Sequence, residues 1–142
     1  MPQTFLCRYL PDEAATLALG EVLVDVLAGA PLVFLEGQLG AGKTTLVRGI
    51  LRALGHQGSV KSPTYTLLEP YEVGGRTIYH FDLYRIGNGE ELDFIGIDEL
   101  MDADALKLVE WPERGSTRLP SPDVVIRLSL EGEGRRVEVS LQ

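Results

Sequence analysis

Cysteine is almost missing from this chain: Cys7 is the only one among 142 residues. One thiol forms no internal disulfide and no cysteine-based zinc site. Basic residues are scarce as well. Lys and Arg number 13 against 21 Asp and Glu, a net charge of −8. A chain so acidic does not grip nucleic acid alone through a broad basic face. A DNA partner is therefore not expected, although a local basic patch or action on a nucleic-acid pathway through partner proteins remains open. Long apolar runs are missing too. The longest, Pro31 to Leu35, falls far short of the ~18 residues of a membrane span. The opening MPQTFLCRYL carries Arg8 within its apolar stretch and has no basic start, unlike a signal peptide. The expectation is a cytoplasmic protein with no membrane partner.

What is present is globular in character. The hydrophobic fraction is 44% and the charged fraction 24%, and the length suits a single domain over residues 1–142 with one real core. Asp12 to Ala28 reads as a helix, because Leu19, Val22, Leu23, Val26 and Leu27 form one apolar stripe. Leu32 to Glu36 suits a strand buried on both faces. Thr44 to Leu54 reads as a second helix stopped by Gly55. Thr66–Tyr71 and Thr77–Asp82 flank Gly74-Gly75 as a hairpin. Glu90 to Leu100 reads as one helix and Leu106 to Glu110 as another buried strand. Asp123–Leu130 and Arg136–Leu141 close the chain as a second hairpin. This order predicts an α/β layer fold, a mainly parallel sheet with antiparallel additions.

Charge is unevenly spread. Between Gly37 and Leu68 lie Lys43, Arg48, Arg52 and Lys61 and no acid, whereas Glu90 to Asp104 holds seven acids and no base. The acidic run reads as a solvated helix face, with a docking surface for a basic partner as the sharper alternative.

The acid-free stretch opens on Gly37-Gln38-Leu39-Gly40-Ala41-Gly42-Lys43-Thr44, a full match to the phosphate-binding pattern G-x-x-x-x-G-K-[ST]. Chance produces such a match in a chain of this composition roughly 0.4% of the time. Its setting between an expected strand and an expected helix sharpens it further. Glycines let backbone N–H groups converge on phosphate oxygens. The helix start adds free N–H groups and a positive dipole end. Lys43 reaches the β- and γ-phosphates, the Thr44 hydroxyl suits Mg²⁺, and Thr45 is placed for the α-phosphate. No guanine-reading N-K-x-D appears, which favours ATP over GTP.

Such a loop needs a carboxylate near the metal, at the end of a neighbouring buried strand. Asp82 ends one strand candidate and Glu110 ends another. Spacing does not choose between them; if one is the metal-side acid, the other is free to orient or deprotonate the attacking water. A small-molecule P-loop kinase is the alternative function. Its mark would be an acceptor site under an Arg-bearing lid, and no segment supplies one.

Leu39–Thr45, Arg48-Gly49, Ser62-Pro63-Thr64, His80-Phe-Asp-Leu-Tyr-Arg85 and Glu110-Trp-Pro112 occur in that order. Together they resemble TsaE, the bacterial ATPase family of tRNA threonylcarbamoyladenosine biosynthesis, over about Leu10 to Pro112. The resemblance implies a P-loop NTPase-type three-layer core and ATP hydrolysis by an accessory subunit. It implies binding to TsaD and TsaB, with tRNA met only indirectly through that complex, where TsaD modifies adenosine 37. It implies a nucleotide cradle of Leu39, Gly40, Ala41, Gly42, Lys43, Thr44 and Thr45, with Mg²⁺ on Thr44 and Glu110. It implies Asp82 as the second essential carboxylate and Ser62–Thr64 as a nucleotide-sensing switch, with Thr64 near the γ-phosphate or its water. Glu13 and Thr16 on the first helix, and Arg135 near the last hairpin, are candidates for the adenine end. Trp111 is expected near the site or packed in the core. Arg85 either stabilises charge during hydrolysis or pairs with a carboxylate such as Asp82. His80 reads as a strand histidine with satisfied hydrogen bonds, and His56 as a loop residue.

Overall fold

The computed structural model describes residues 2–142. Seven strands form one sheet: β1 (Gln3–Leu10), β2 (Leu32–Glu36), β3 (Leu68–Val73), β4 (Arg76–Asp82), β5 (Leu106–Glu110), β6 (Val124–Glu131) and β7 (Gly134–Leu141). Their order is β1-β7-β6-β2-β5-β4-β3. The four central strands, β6, β2, β5 and β4, pair in parallel. The outer pairs β1–β7, β6–β7 and β3–β4 are antiparallel. This is the expected parallel centre with hairpin additions.

Side-chain alternation on the central strands divides the interior into two layers. Val33 and Leu35 of β2, Leu106 and Leu108 of β5 and Ile78 of β4 face α1 (Glu13–Ala28) and α2 (Lys43–Leu54). Leu19, Leu23 and Leu27 of α1 and Leu46, Val47, Ile50 and Leu51 of α2 complete this core. Leu32, Phe81 and Val109 point the other way, onto Leu83, Ile86, Leu92, Ile97 and Met101. β5 is buried along its whole length: Leu106, Leu108 and Val109 fill both faces, and the two charged residues among them, Lys107 and Glu110, are buried against partners of their own. The α1 boundaries follow from caps: the Asp12 carboxylate accepts from Ala15 N at 2.9 Å, and Gly29 closes the far end. Among the described residues no helix is long and apolar enough to cross a membrane.

Two expectations need correcting. The helix over Glu90–Leu100 is two elements, a 3-10 helix at Gly89–Ile95 and α3 (Ile97–Asp102), separated at Gly96 with φ 71°. On a continuous helix Leu92 and Ile97 would diverge by about 140°. The left-handed turn at Gly96 brings both into the core, where each is buried. Lys107 ties this layer to the sheet, its ammonium donating to the carbonyls of Met101 and Ala103 at 2.9 Å. Burial holds its pKa below the ordinary lysine value, against the opposing influence of Asp123, Asp102 and Asp104. The second correction is β1, to which the sequence pattern assigned no element. It is an edge strand exposed along nearly all its length, so no alternation of apolar and polar residues marks it.

Candidate functional site

The site forms where β2, β4 and β5 end together beside the start of α2. The loop from Gly37 to Gly42 links β2 to α2, and Gly42 takes φ 103° as it hands the chain to the helix. A side chain is strained in that conformation. A cleft of about 340 Å³ lies over the loop, lined by Leu39 to Thr45, Ser62, Thr64, Asp82, Tyr84, Glu110 and Trp111. The structure thus brings the loop, the Ser62–Thr64 segment and both strand-end acids into one concavity.

Parallel register explains the acids. Asp82 of β4 and Glu110 of β5 are direct partners and share the face that carries Ile78 and Leu108 toward α2. Both are buried. Glu110 accepts from the Thr44 hydroxyl, at 3.1 Å to Oε1 and 2.9 Å to Oε2. It also accepts from His80 Nε2 at 2.6 Å. Asp82 accepts from the Thr64 hydroxyl at 2.9 Å and from Tyr84 N at 3.0 Å, while Ser62 Oγ lies 2.8 Å from Thr64 Oγ1. The two carboxylates therefore have different neighbours: Glu110 belongs with Thr44 of the phosphate loop, Asp82 with the Ser62–Thr64 segment. Two like charges side by side and out of water are costly unless a cation stands near. Thr44 and Glu110 present the hydroxyl and carboxylate oxygens that Mg²⁺ takes.

Lys43 supplies the nearby fixed cation. It is only 5% exposed; its ammonium donates to the carbonyls of Gly37 and Gln38 and lies 3.9 Å from the centroid of the Trp111 ring. Burial lowers its pKa from the ordinary lysine value, while Glu110, then Asp82 and Glu113, oppose that shift. Trp111 reaches this position from a left-handed backbone, φ 57° and ψ 50°, a conformation costing a non-glycine residue roughly 1–2 kcal/mol. Its ring also packs on Tyr84, centroids 4.9 Å apart. Trp111 is the only tryptophan, which yields a direct test. Nucleotide phosphates that draw the Lys43 ammonium off the indole are expected to produce a saturable change in tryptophan emission. Lys43→Met should abolish the saturable part; an unchanged titration in that variant would sever the link between Lys43 and the phosphates.

A smaller cleft of about 190 Å³ adjoins the first through Gly40, Gly42 and Thr45, and is lined also by Asp12, Glu13, Thr16, Glu133, Gly134 and Arg135. The three adenine-end candidates thus meet across one cleft. Arg135 donates to the carbonyls of Ala41 and Gly40 at 3.1 Å each, so it braces the loop from outside. Glu13 lies 3.6 Å from the Arg48 guanidinium.

Other expectations resolve differently. Arg85 turns outward over the Tyr65 ring at 4.3 Å, and no ion pair among the described residues joins it to Asp82. His80 is not fully satisfied, because its Nδ1 is buried without a partner. His56 is a loop residue, with Nε2 3.2 Å from Ser59 O and its ring edge-on to Tyr71. Sequence reasoning did not foresee Tyr84 as a wall of the cleft or its N–H on Asp82. Its place two residues after Asp82, just past the strand end, is the only signal that pointed there.

A parallel sheet, a glycine loop closing on a helix start, and a Lys-Thr pair facing strand-end carboxylates define the P-loop class of nucleotide-binding α/β proteins. The comparisons narrow this to one family. Residues 10–137 match the model of threonylcarbamoyl adenosine biosynthesis protein TsaE, and the chain belongs to that family. It is 45% identical to the tRNA threonylcarbamoyladenosine biosynthesis protein TsaE of Haemophilus influenzae, over 96% of this chain and 90% of that one. The TsaE protein of Synechocystis is 40% identical over 80% of this chain and 73% of its own. The crystal structure of Bacillus subtilis YdiB superposes with a TM-score of 0.81 at 26% identity, covering 99% of this chain and 87% of that chain. The chain's role accordingly lies in tRNA threonylcarbamoyladenosine biosynthesis.

Proposed function

We propose that this chain is a Mg²⁺-dependent ATPase of the cytoplasm. It acts as an accessory subunit that binds TsaD–TsaB and drives turnover of the complex modifying adenosine 37 of tRNA. The observation that carries this reading is the pairing of Asp82 and Glu110 at adjacent strand ends, one bonded to Thr64 and the other to Thr44. In this reading the loop N–H groups and the start of α2 bind the phosphates. Lys43 neutralises the β- and γ-phosphate oxygens, leaving the carbonyls of Gly37 and Gln38. Thr44 and Glu110 would hold Mg²⁺, which would supply charge stabilisation to the phosphate oxygens. Asp82 accepts the proton of the attacking water or orients it, and Thr64, already bonded to Asp82, fixes that carboxylate and senses the γ-phosphate. The Arg135 side of the second cleft, with Glu13 and Thr16, receives the nucleoside end.

Turnover by the isolated chain is slow in this scheme, because the cleft is open over the γ-phosphate position and a partner is needed to close it. The test is phosphate release with ATP and Mg²⁺, with and without TsaD–TsaB. Stimulation of tenfold or more is expected. Rapid hydrolysis indifferent to TsaD–TsaB would overturn the accessory role, and a phosphorylated small molecule in place of free phosphate would establish the kinase alternative.

A further inference from the structure

His80 sits in the middle of the sheet, on the face of β4 that looks toward α2, and is 0% exposed. Burying an imidazole among aliphatic side chains is unfavourable unless its polar atoms are matched. Only one is: Nε2 meets Glu110 Oε2 at 2.6 Å, and Nδ1 has no partner. A carboxylate accepts only, so Nε2 carries the proton and donates it to Glu110. A histidine kept in the core at the expense of an unmatched nitrogen is a poor filler; leucine would fill the space without a polar atom to satisfy. The single bond to Glu110 is what distinguishes it.

The other donor on Glu110 is the Thr44 hydroxyl. A hydroxyl that ligates a cation gives it an oxygen lone pair and keeps its O–H, so the Thr44–Glu110 bond has to be re-aimed when both side chains turn oxygens to the same metal. His80 does not face that change. We infer that His80 is a positioning residue: by holding Oε2 from beneath, it keeps Glu110 aimed at the metal position when Thr44 is drawn onto the cation. This inference rests on the proposed placement of Mg²⁺ at Thr44 and Glu110, and it adds a residue that touches neither metal nor nucleotide. Partners that orient a ligating carboxylate typically alter metal affinity by about 10- to 100-fold when removed.

The test separates orientation from packing by three substitutions. His80→Gln places an amide N–H near the former Nε2, His80→Asn places one too far back to reach Glu110, and His80→Leu fills the space with no donor. The readout is binding of a fluorescent non-hydrolysable ATP analogue, mant-AMPPNP, in EDTA and across a MgCl₂ titration, on variants that melt cooperatively. In EDTA all variants should bind as the parent chain does. The Mg²⁺ concentration for half-maximal tightening should rise about tenfold or more in Leu and Asn and remain within about threefold of the parent in Gln. Equal midpoints in all variants, or a Gln variant as impaired as Asn, would show that His80 acts only by packing and would overturn the inference. If the parent chain itself shows no Mg²⁺-dependent tightening, the placement of the metal fails instead, an outcome separate from the first. Should the Leu variant not fold, the Gln–Asn comparison decides. Proton NMR of the parent chain gives a check without substitution: the His80 Nε2–H should stay protected from exchange when Mg²⁺ and AMPPNP are added, and its loss on addition would count against a lasting hold on Glu110.

Discussion

Asp82→Asn and Glu110→Gln are each expected to lower phosphate release by at least about 100-fold, the scale of losing a positioned acid–base group or a charge-stabilising one. They should fail for different reasons. Asn at 82 keeps an oxygen for Tyr84 N and turns its N–H₂ to the Thr64 hydroxyl, which can accept as well as donate, so both contacts of the wild-type carboxylate persist with one reversed. The Ser62–Thr64 segment therefore stays in place, and nucleotide binding with Mg²⁺ should be close to normal while the chemical step is lost. Gln at 110 is neutral beside Thr44 and places an N–H₂ where an oxygen now faces the hydroxyl. The loss there should appear as weaker Mg²⁺-dependent nucleotide binding as well as slower hydrolysis. Both substitutions keep the size of the original side chain, and a cooperative melt is the check that each variant is folded. Hydrolysis at the parent rate in both would remove these acids from the mechanism. Reversed phenotypes, with Asp82→Asn impaired in metal-dependent binding, would exchange their roles.

The division of labour between these acids is a case of what the sequence leaves open. Each is legible as a strand-end carboxylate, since β-branched and aromatic residues before Asp82 and a short leucine-valine stretch before Glu110 mark the strands and the acid marks each end. That they are register partners follows from β4 and β5 being neighbours, and strand order is a property of long-range pairing that no local pattern carries. The phosphate loop was legible almost completely because its chemistry is local: eight consecutive residues, a strand before and a helix after. His80 shows the opposite situation. Its identity is plain in the sequence, but its partner lies 30 positions away on the adjacent strand, and only the sheet brings them together. Locality also accounts for the fold-level corrections. A helix pattern that continues through Gly96 looks unbroken in a window of ten residues; the break is dictated by the core that Leu92 and Ile97 must both reach. β1 is recognised by its seven paired positions on β7 and by nothing in its own composition.

Gly49→Ala is expected to destabilise the fold by about 2–3 kcal/mol, although alanine favours a helix by about 1 kcal/mol over glycine. The reason is the crossing of α1 and α2. A Cβ at Gly49 would lie 2.4 Å from the Leu17 carbonyl oxygen, and one at Gly20 would lie 2.3 Å from the backbone of Gly49. Both obstacles are backbone, so no rotamer change relieves them; the helices must separate. They cross backbone to backbone over the side chains that form the larger core, and separation opens space where Leu19, Leu23, Leu46 and Ile50 now meet. At roughly 4 °C per kcal/mol for a chain of this size, the melting temperature should fall by about 10 °C. Gly29→Ala is the matched control: its Cβ would meet nothing within 4 Å and its φ of −105° is open to any residue, so a change of less than about 0.5 kcal/mol is expected there. The effect should also reach the site, because α2 carries Lys43 and Thr44 on its first turn and Thr16 of α1 lines the second cleft. A shift of α2 along the crossing moves the loop donors relative to Glu110 on the sheet. Weaker nucleotide binding is therefore expected in Gly49→Ala at temperatures where it remains folded. An Ala variant as stable as the parent chain, with nucleotide affinity intact, would mean that the helices tolerate a wider spacing and that the close crossing does not set the geometry of the phosphate loop.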